Sequence, residues 1–311
     1  MSHPQSVQSA LQADGNYTQL TTCLDTHSGI AWGYMHAEPR PCYTYALLAD
    51  FTQWFADLCE RIDGNARQDE IAYVVIASSV PGIYNLGGDL NLFHRLILEK
   101  DRPNLLRYAR ACIDPLYMIA AHLNRPNIKT ITLVRGDALG GGFECALSGN
   151  ALIAERGSKL GFPEILFNLF PGMGALSLLG RRVGHQKAER IILSGKLYSA
   201  EELYDMGVVD VLAEPGEGER AVHEFVRKES RARNGTLALR AAREISQPIS
   251  YEELMRITEI WVDAAFRLEP KDLRMMERLV ARQNGKAESL ASRPPGALLA
   301  SQECLHGGKD C

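Results

Sequence analysis

Two glycine-rich turns, each placed to open a helix, constrain this chain more than any other feature. The first is Tyr84-Asn85-Leu86-Gly87-Gly88-Asp89-Leu90. The second is Ala138-Leu139-Gly140-Gly141-Gly142-Phe143-Glu144, directly after the strand-like run Lys129 to Val134. Three consecutive glycines inside a helix would cost roughly 1 kcal/mol each relative to alanine, so they belong to a turn. Such a turn has two readings: close backbone packing, or a helix N-terminus with N–H groups facing an anionic oxygen. Asp89 reads as a helix-capping residue.

Glutamates follow both the second turn and a proline-marked one. Glu144 lies among Phe143, Cys145, Ala146 and Leu147, and Glu164 among Phe162, Pro163, Ile165, Leu166 and Phe167. A carboxylate in apolar surroundings is expensive unless it is paired or protonated. A lone glutamate of this kind reads as an exposed helix residue. Two beside backbone-donor turns point to proton transfer next to a stabilised oxyanion, the equipment for enolate chemistry on an acyl thioester.

The rest of the chain supplies a frame for these turns. Strand-like runs cover residues 17–24 and 30–37, and residues 44–62 carry apolar side chains at helical spacing. Ala72 to Ala77 is a continuous apolar run that suits a strand buried on both faces. A helix is expected from Asn104 to about Leu123, bent at Pro115. Further strands are expected at 151–154, 159–162 and 208–212. Alternating strands and helices imply a largely parallel sheet inside helical layers. Beyond Gly174 the pattern is mostly helical, with apolar faces at Leu254, Ile257, Trp261 and Ala265, then Leu273, Met276, Leu279 and Val280. The expected organisation is a flexible N-terminus (1–16), a core (17–212), a helical region (213–283) and a disordered tail (284–311).

Other functions lose support. The net charge of −4 and the lack of a basic run argue against nucleic-acid binding. No apolar run reaches the ~18 residues of a membrane span. The N-terminus does not read as a signal peptide, and seven scattered cysteines without a C-x-x-C pair fit a reduced, cytoplasmic protein. Neither a metal site nor a nucleotide or dinucleotide cofactor motif is present, so none is expected. His94, His122 and His185 show no ligand spacing. Cys145 has no histidine near it in sequence and does not read as a nucleophile. A serine thioesterase would need a G-x-S-x-G elbow, which is absent.

At these residues, and at Gly161-Phe162-Pro163-Glu164 through Phe170-Pro171-Gly172-Met173-Gly174, the chain resembles the crotonase (enoyl-CoA hydratase/isomerase) superfamily. The similarity continues through Ala188 to Gly195 and Ala200 to Leu203, and covers roughly residues 20–282. It implies an α/β fold, a crotonase-like spiral of ββα units with a C-terminal helical region. It assigns Glu144 and Glu164 as the catalytic pair, the N–H groups of Leu86 and Gly141 as an oxyanion hole, and Gly87, Gly88, Gly140 and Gly142 as its shapers. Met173 and Trp261 are candidates for the acyl pocket. Leu86 and Phe143 depart from the usual hydratase pattern.

Within the superfamily, segments 84–90 and 164–174 and the region around Trp261 are most similar to bacterial diffusible signal factor synthases. That resemblance implies dehydration of a 3-hydroxyacyl chain on acyl carrier protein to the cis-2-enoyl thioester, then thioester hydrolysis. Glu164 would act as base and Glu144 as acid. It also implies a homotrimer or dimer of trimers and, in some members, a sensor kinase that restrains activity. An ordinary enoyl-CoA hydratase or isomerase acting on CoA esters is the alternative, as is a non-catalytic crotonase-fold protein that binds a regulator.

Overall fold

The computed structural model describes residues 12–13, 16–64 and 71–291. Its strands form two sheets. The larger has the order β1-β2-β3-β4-β6-β8-β11 and the smaller β10-β9-β7-β5. The strands are β1 Gln12–Ala13, β2 Leu20–Asp25, β3 Ile30–Met35, β4 Tyr73–Ser78, β5 Ile83–Asn85, β6 Lys129–Val134, β7 Asp137–Leu139, β8 Ala151–Glu155, β9 Lys159–Gly161, β10 Leu197–Ser199 and β11 Val211–Ala213. From β3 to β11 every pairing in the larger sheet is parallel.

The helices are α1 Tyr45–Gly64, α2 Leu90–Leu98, α3 Arg102–Ala120, α4 Gly141–Ser148, α5 Ala175–Val183, α6 His185–Ser194, α7 Ala200–Asp205, α8 Gly218–Ser230, α9 Arg233–Ser246, α10 Tyr251–Ala265 and α11 Pro270–Ala291. The expected spiral of ββα units is present. Strands β4, β6 and β8 enter the large sheet, and their successors β5, β7 and β9 form the small one. A helical segment follows each pair: α2, α4, and a 3-10 turn at Pro163–Phe167. The small sheet therefore lines up three chain reversals, and these deliver the turns picked out in the sequence.

The apolar run of β4 explains the layering. All six of its residues are buried. Val74 and Ile76 face the main core with Phe51 and Phe55 of α1, whereas Tyr73, Val75 and Ala77 face a second cluster with Val222 and Val226 of α8. Period-two alternation thus serves two apolar layers, which is why the run shows no polar alternation. On the main-core side α10 packs against α3, and α11 against α2.

Three expectations change. Helix α3 continues through Pro115 and ends at Ala120; a 3-10 turn then covers His122–Asn124. Residues 12–13 pair with β2 inside the stretch expected to be loose. Helix α11 runs through Ala291, eight residues into the expected tail. Lys286, Ala287, Glu288, Leu290 and Ala291 are good helix formers, which offsets Asn284 and Gly285. Residues 292–311 lie outside the described residues.

Candidate active site

Glu144 is buried in the first turn of α4. Its Oε1 accepts hydrogen bonds from the N–H groups of Met173 at 2.7 Å and Ala175 at 2.9 Å. Burial pushes its carboxyl up to about 7, and these two N–H groups oppose the rise. Glu164 stands in the 3-10 turn after β9. Its Oε2 is buried and has no hydrogen-bond partner. Burial, and then the neighbouring charge of Glu144, push its carboxyl up to about 8. Two carboxyls raised by burial in one cavity, one of them with an unpartnered oxygen, are a costly arrangement that makes this the candidate site.

Gly140 lets the two converge. It adopts a left-handed φ of 53°, and any Cβ there would collide with Oε1 of Glu164. Its carbonyl accepts the N–H of Glu144 at 3.0 Å, so one residue touches both catalytic candidates. Gly142 behaves differently. A side chain there would run into the Asn85 carbonyl, and Gly142 does not line the cavity. It packs α4 closely on β5 and, of the four glycines expected to shape the oxyanion hole, is the one outside the cavity wall.

The oxyanion-hole expectation changes in register. The Leu86 N–H donates to the Pro41 carbonyl at 2.8 Å and is not available to a ligand. The Gly88 N–H, by contrast, has no partner among the described residues. Its direction follows from its own peptide unit. The Gly87 carbonyl accepts the Tyr43 N–H at 2.8 Å, and in a trans peptide the N–H points opposite to the carbonyl. The Gly88 N–H therefore points away from Tyr43. Gly141, the first residue of α4, also has an N–H without a partner among the described residues, as expected for a helix start. The two turns touch: a Cβ on Gly87 would lie 3.0 Å from the Gly141 nitrogen.

These groups line one cavity of about 300 Å³. Leu86, Gly87, Gly88, Gly140, Gly141, Met173 and Trp261 all contribute to its wall, together with both glutamates. Leu86 does so although its N–H is taken up by the Pro41 carbonyl. Met173 covers Gly141, its sulfur 3.2 Å from where a Cβ would stand. Trp261 packs edge-on against Phe93 with ring centroids 5.0 Å apart. None of His94, His122 and His185 lines the cavity.

Sequence reasoning did not assign Phe93, Tyr108, Cys112, Thr258, Leu279 and Arg282 to the site, and they too line the wall. The apolar ones carry only the helical periodicity that any core residue carries, so periodicity alone could not single them out.

Comparison with known proteins places this geometry. The profile of the enoyl-CoA hydratase/isomerase family matches residues 45–249. The chain belongs to the enoyl-CoA hydratase/isomerase family. A putative member from Bacillus subtilis, YhaR, is 28% identical over 245 residues, covering 78% of this chain and 88% of that protein. The peroxisomal fatty acid beta-oxidation multifunctional protein AIM1 of Arabidopsis thaliana is 32% identical over 155 residues, half of this chain but only 20% of that longer protein. Among solved structures, enoyl-CoA hydratase from Bacillus halodurans aligns over 84% of this chain and 100% of its own, with a TM-score of 0.69 and 19% identity. The crotonase fold is thus shared at low identity. No helix among the described residues is long and apolar enough to cross a membrane.

Proposed function

We propose that this cavity adds water to, or removes it from, C2 and C3 of an acyl thioester. The observation that carries the reading is the grouping of two burial-raised carboxyls with two unpartnered backbone N–H groups in one cavity. The thioester oxygen would lie between the N–H groups of Gly88 and Gly141. Each such donor is worth roughly 3–4 kcal/mol of enolate stabilisation.

The hydrogen bonding orders the protons. Glu144, with two N–H donors on Oε1, holds a carboxylate more readily than Glu164, which has no donor on Oε2. In the hydration direction ionised Glu144 takes a proton from water attacking C3, and Glu164 gives its proton to C2. Dehydration runs the same path backwards: Glu164 removes the C2 proton, and Glu144 protonates the departing C3 hydroxyl. The sequence-based assignment of Glu164 as base and Glu144 as acid describes this second direction.

A narrower reading is supported by the resemblance of segments 84–90 and 164–174 to the diffusible signal factor synthases. Here the substrate is a 3-hydroxyacyl chain on acyl carrier protein, and a glutamate-activated water releases the free cis-2-enoic acid. A trimer-based assembly and a sensor-kinase partner belong to the same reading.

Mass spectrometry of products from 3-hydroxydodecanoyl-acyl carrier protein and from the matching CoA ester tests both readings. Interconversion of hydroxyacyl and enoyl CoA esters without free acid supports the hydratase. Free cis-2-dodecenoic acid from the carrier-protein substrate supports the synthase. Turnover of neither overturns both.

A further inference from the structure

We propose that Tyr108 is a positioning residue that holds the turn carrying the Gly88 N–H. This rests on the reading of Gly88 and Gly141 as paired oxyanion donors.

Tyr108 stands on α3 and is fully buried. Tyr45 and Phe93 fix its ring edge-on, each with centroids 5.2 Å away. Its hydroxyl donates to the Tyr43 carbonyl and accepts the Asp89 N–H at 3.0 Å. A carbonyl can only accept and an N–H can only donate, so the direction of the chain is settled: Asp89 N–H to Tyr108 hydroxyl to Tyr43 carbonyl. Burial holds the phenol well above its ordinary range, so the proton stays on the oxygen.

The placement matters because Tyr43 and Gly88 face each other as in a parallel bridge. One rung is direct, from the Tyr43 N–H to the Gly87 carbonyl. At the other rung the Tyr108 hydroxyl is inserted between the Asp89 N–H and the Tyr43 carbonyl. Gly88 is thus held on both sides, once by backbone and once by a side chain from another helix. A glycine held on one side only retains wide φ and ψ freedom, and its N–H could swing away from Gly141. Tyr108 removes that freedom without itself touching the reacting atoms.

A merely structural tyrosine would satisfy two buried backbone groups and leave the oxyanion site unchanged. Isotope-edited infrared spectroscopy separates the two roles. The probe is octanoyl-CoA labelled with 13C at the thioester carbonyl, which lacks the C3 hydroxyl and the double bond and so is neither dehydrated nor hydrated; spectra are taken before any free octanoate is released. In the wild-type protein the bound carbonyl band is expected at lower frequency than in water. In Tyr108→Phe it is expected to return at least half-way to the solution position, with probe affinity changed by less than about threefold.

Tyr84→Phe is the control. Tyr84 is equally buried, but its hydroxyl reaches only the Cys145 sulfur, at 3.6 Å. Its band should stay with the wild type, and a shift equal to that of Tyr108→Phe overturns the specific role. A wild-type band in Tyr108→Phe also overturns it. Should Tyr108→Phe not fold, 3-fluorotyrosine at 108 is read the same way, because its oxygen accepts less strongly. A part-way band supports the role and an unmoved one overturns it. A wild-type protein whose carbonyl is not displaced at all overturns the oxyanion-hole reading, and the positioning role falls with it.

Discussion

The Met173 N–H donates to Oε1 of Glu144 across 2.7 Å, tying helix α4 to the loop that follows the second glutamate. The Ala175 N–H joins it on the same oxygen. In the proposed mechanism Glu144 has two jobs, one chemical and one structural, and its substitutions should separate them. Glu144→Ala and Glu144→Gln should each lower turnover by ~10²–10⁴. The alanine variant also leaves two buried N–H groups without an acceptor, at about 1–3 kcal/mol each. A lower melting temperature for the alanine than for the glutamine variant, in calorimetry near pH 7, is the expected result.

Glu164 should behave in the opposite way. Its Oε2 has no partner to lose. Glu164→Gln should lower turnover by a similar ~10²–10⁴ with no loss of melting temperature. Retained activity in this variant would remove Glu164 from the mechanism.

The raised carboxyls also set how stability follows pH. Both rise from an ordinary 4.5, Glu144 to about 7 and Glu164 to about 8. Between 4.5 and about 8 the folded chain holds more protons at this pair than the unfolded chain does. Their contribution is complete below 4.5 and is lost as pH rises through the folded values, so stability from this pair falls with rising pH. Melting temperatures measured across that window should decline less steeply in Glu164→Gln than in the wild type.

Activity should have its own pH signature. The working pair carries one proton between its two carboxyls, so kcat/KM should be bell-shaped, with limbs near 7 and 8. A flat profile from pH ~6 to ~9 would show that the pair does not exchange protons in the rate-limiting step.

Gly140→Ala tests the point where the two glutamates meet. The new methyl group meets Glu164 Oε1, and φ 53° with ψ −123° is a backbone conformation that only glycine adopts readily. A protein that folds but turns over ~10²-fold more slowly is expected, since small displacements of a catalytic group cost that much. Circular dichroism with steady-state kinetics checks both halves.

Much of this site could be read before any coordinates, because its signals are local. Three consecutive glycines mark a turn wherever they occur, and the six-residue run of β4 has the length and apolarity of a strand covered on both faces. The register of the oxyanion donors could not be read the same way. Whether Leu86 or Gly88 offers its N–H depends on where Pro41 and Tyr43 place their backbone groups, more than forty residues upstream. Hydrogen bonds between segments so far apart leave no trace in local pattern. The short strands β5, β7 and β10 escaped for another reason: three residues carry little periodic signal, and at this length β9 and β11 were legible and these were not.

Part of the wall of the cavity comes from a different stretch of chain than its glutamates and glycine turns. The family profile ends at residue 249, whereas Thr258, Trp261, Leu279 and Arg282 close the pocket from α10 and α11. The segment that carries the family signature thus encloses the cavity only in part. Substitutions in the last two helices can therefore retune which chain is accepted while both glutamates and both glycine turns remain as they are.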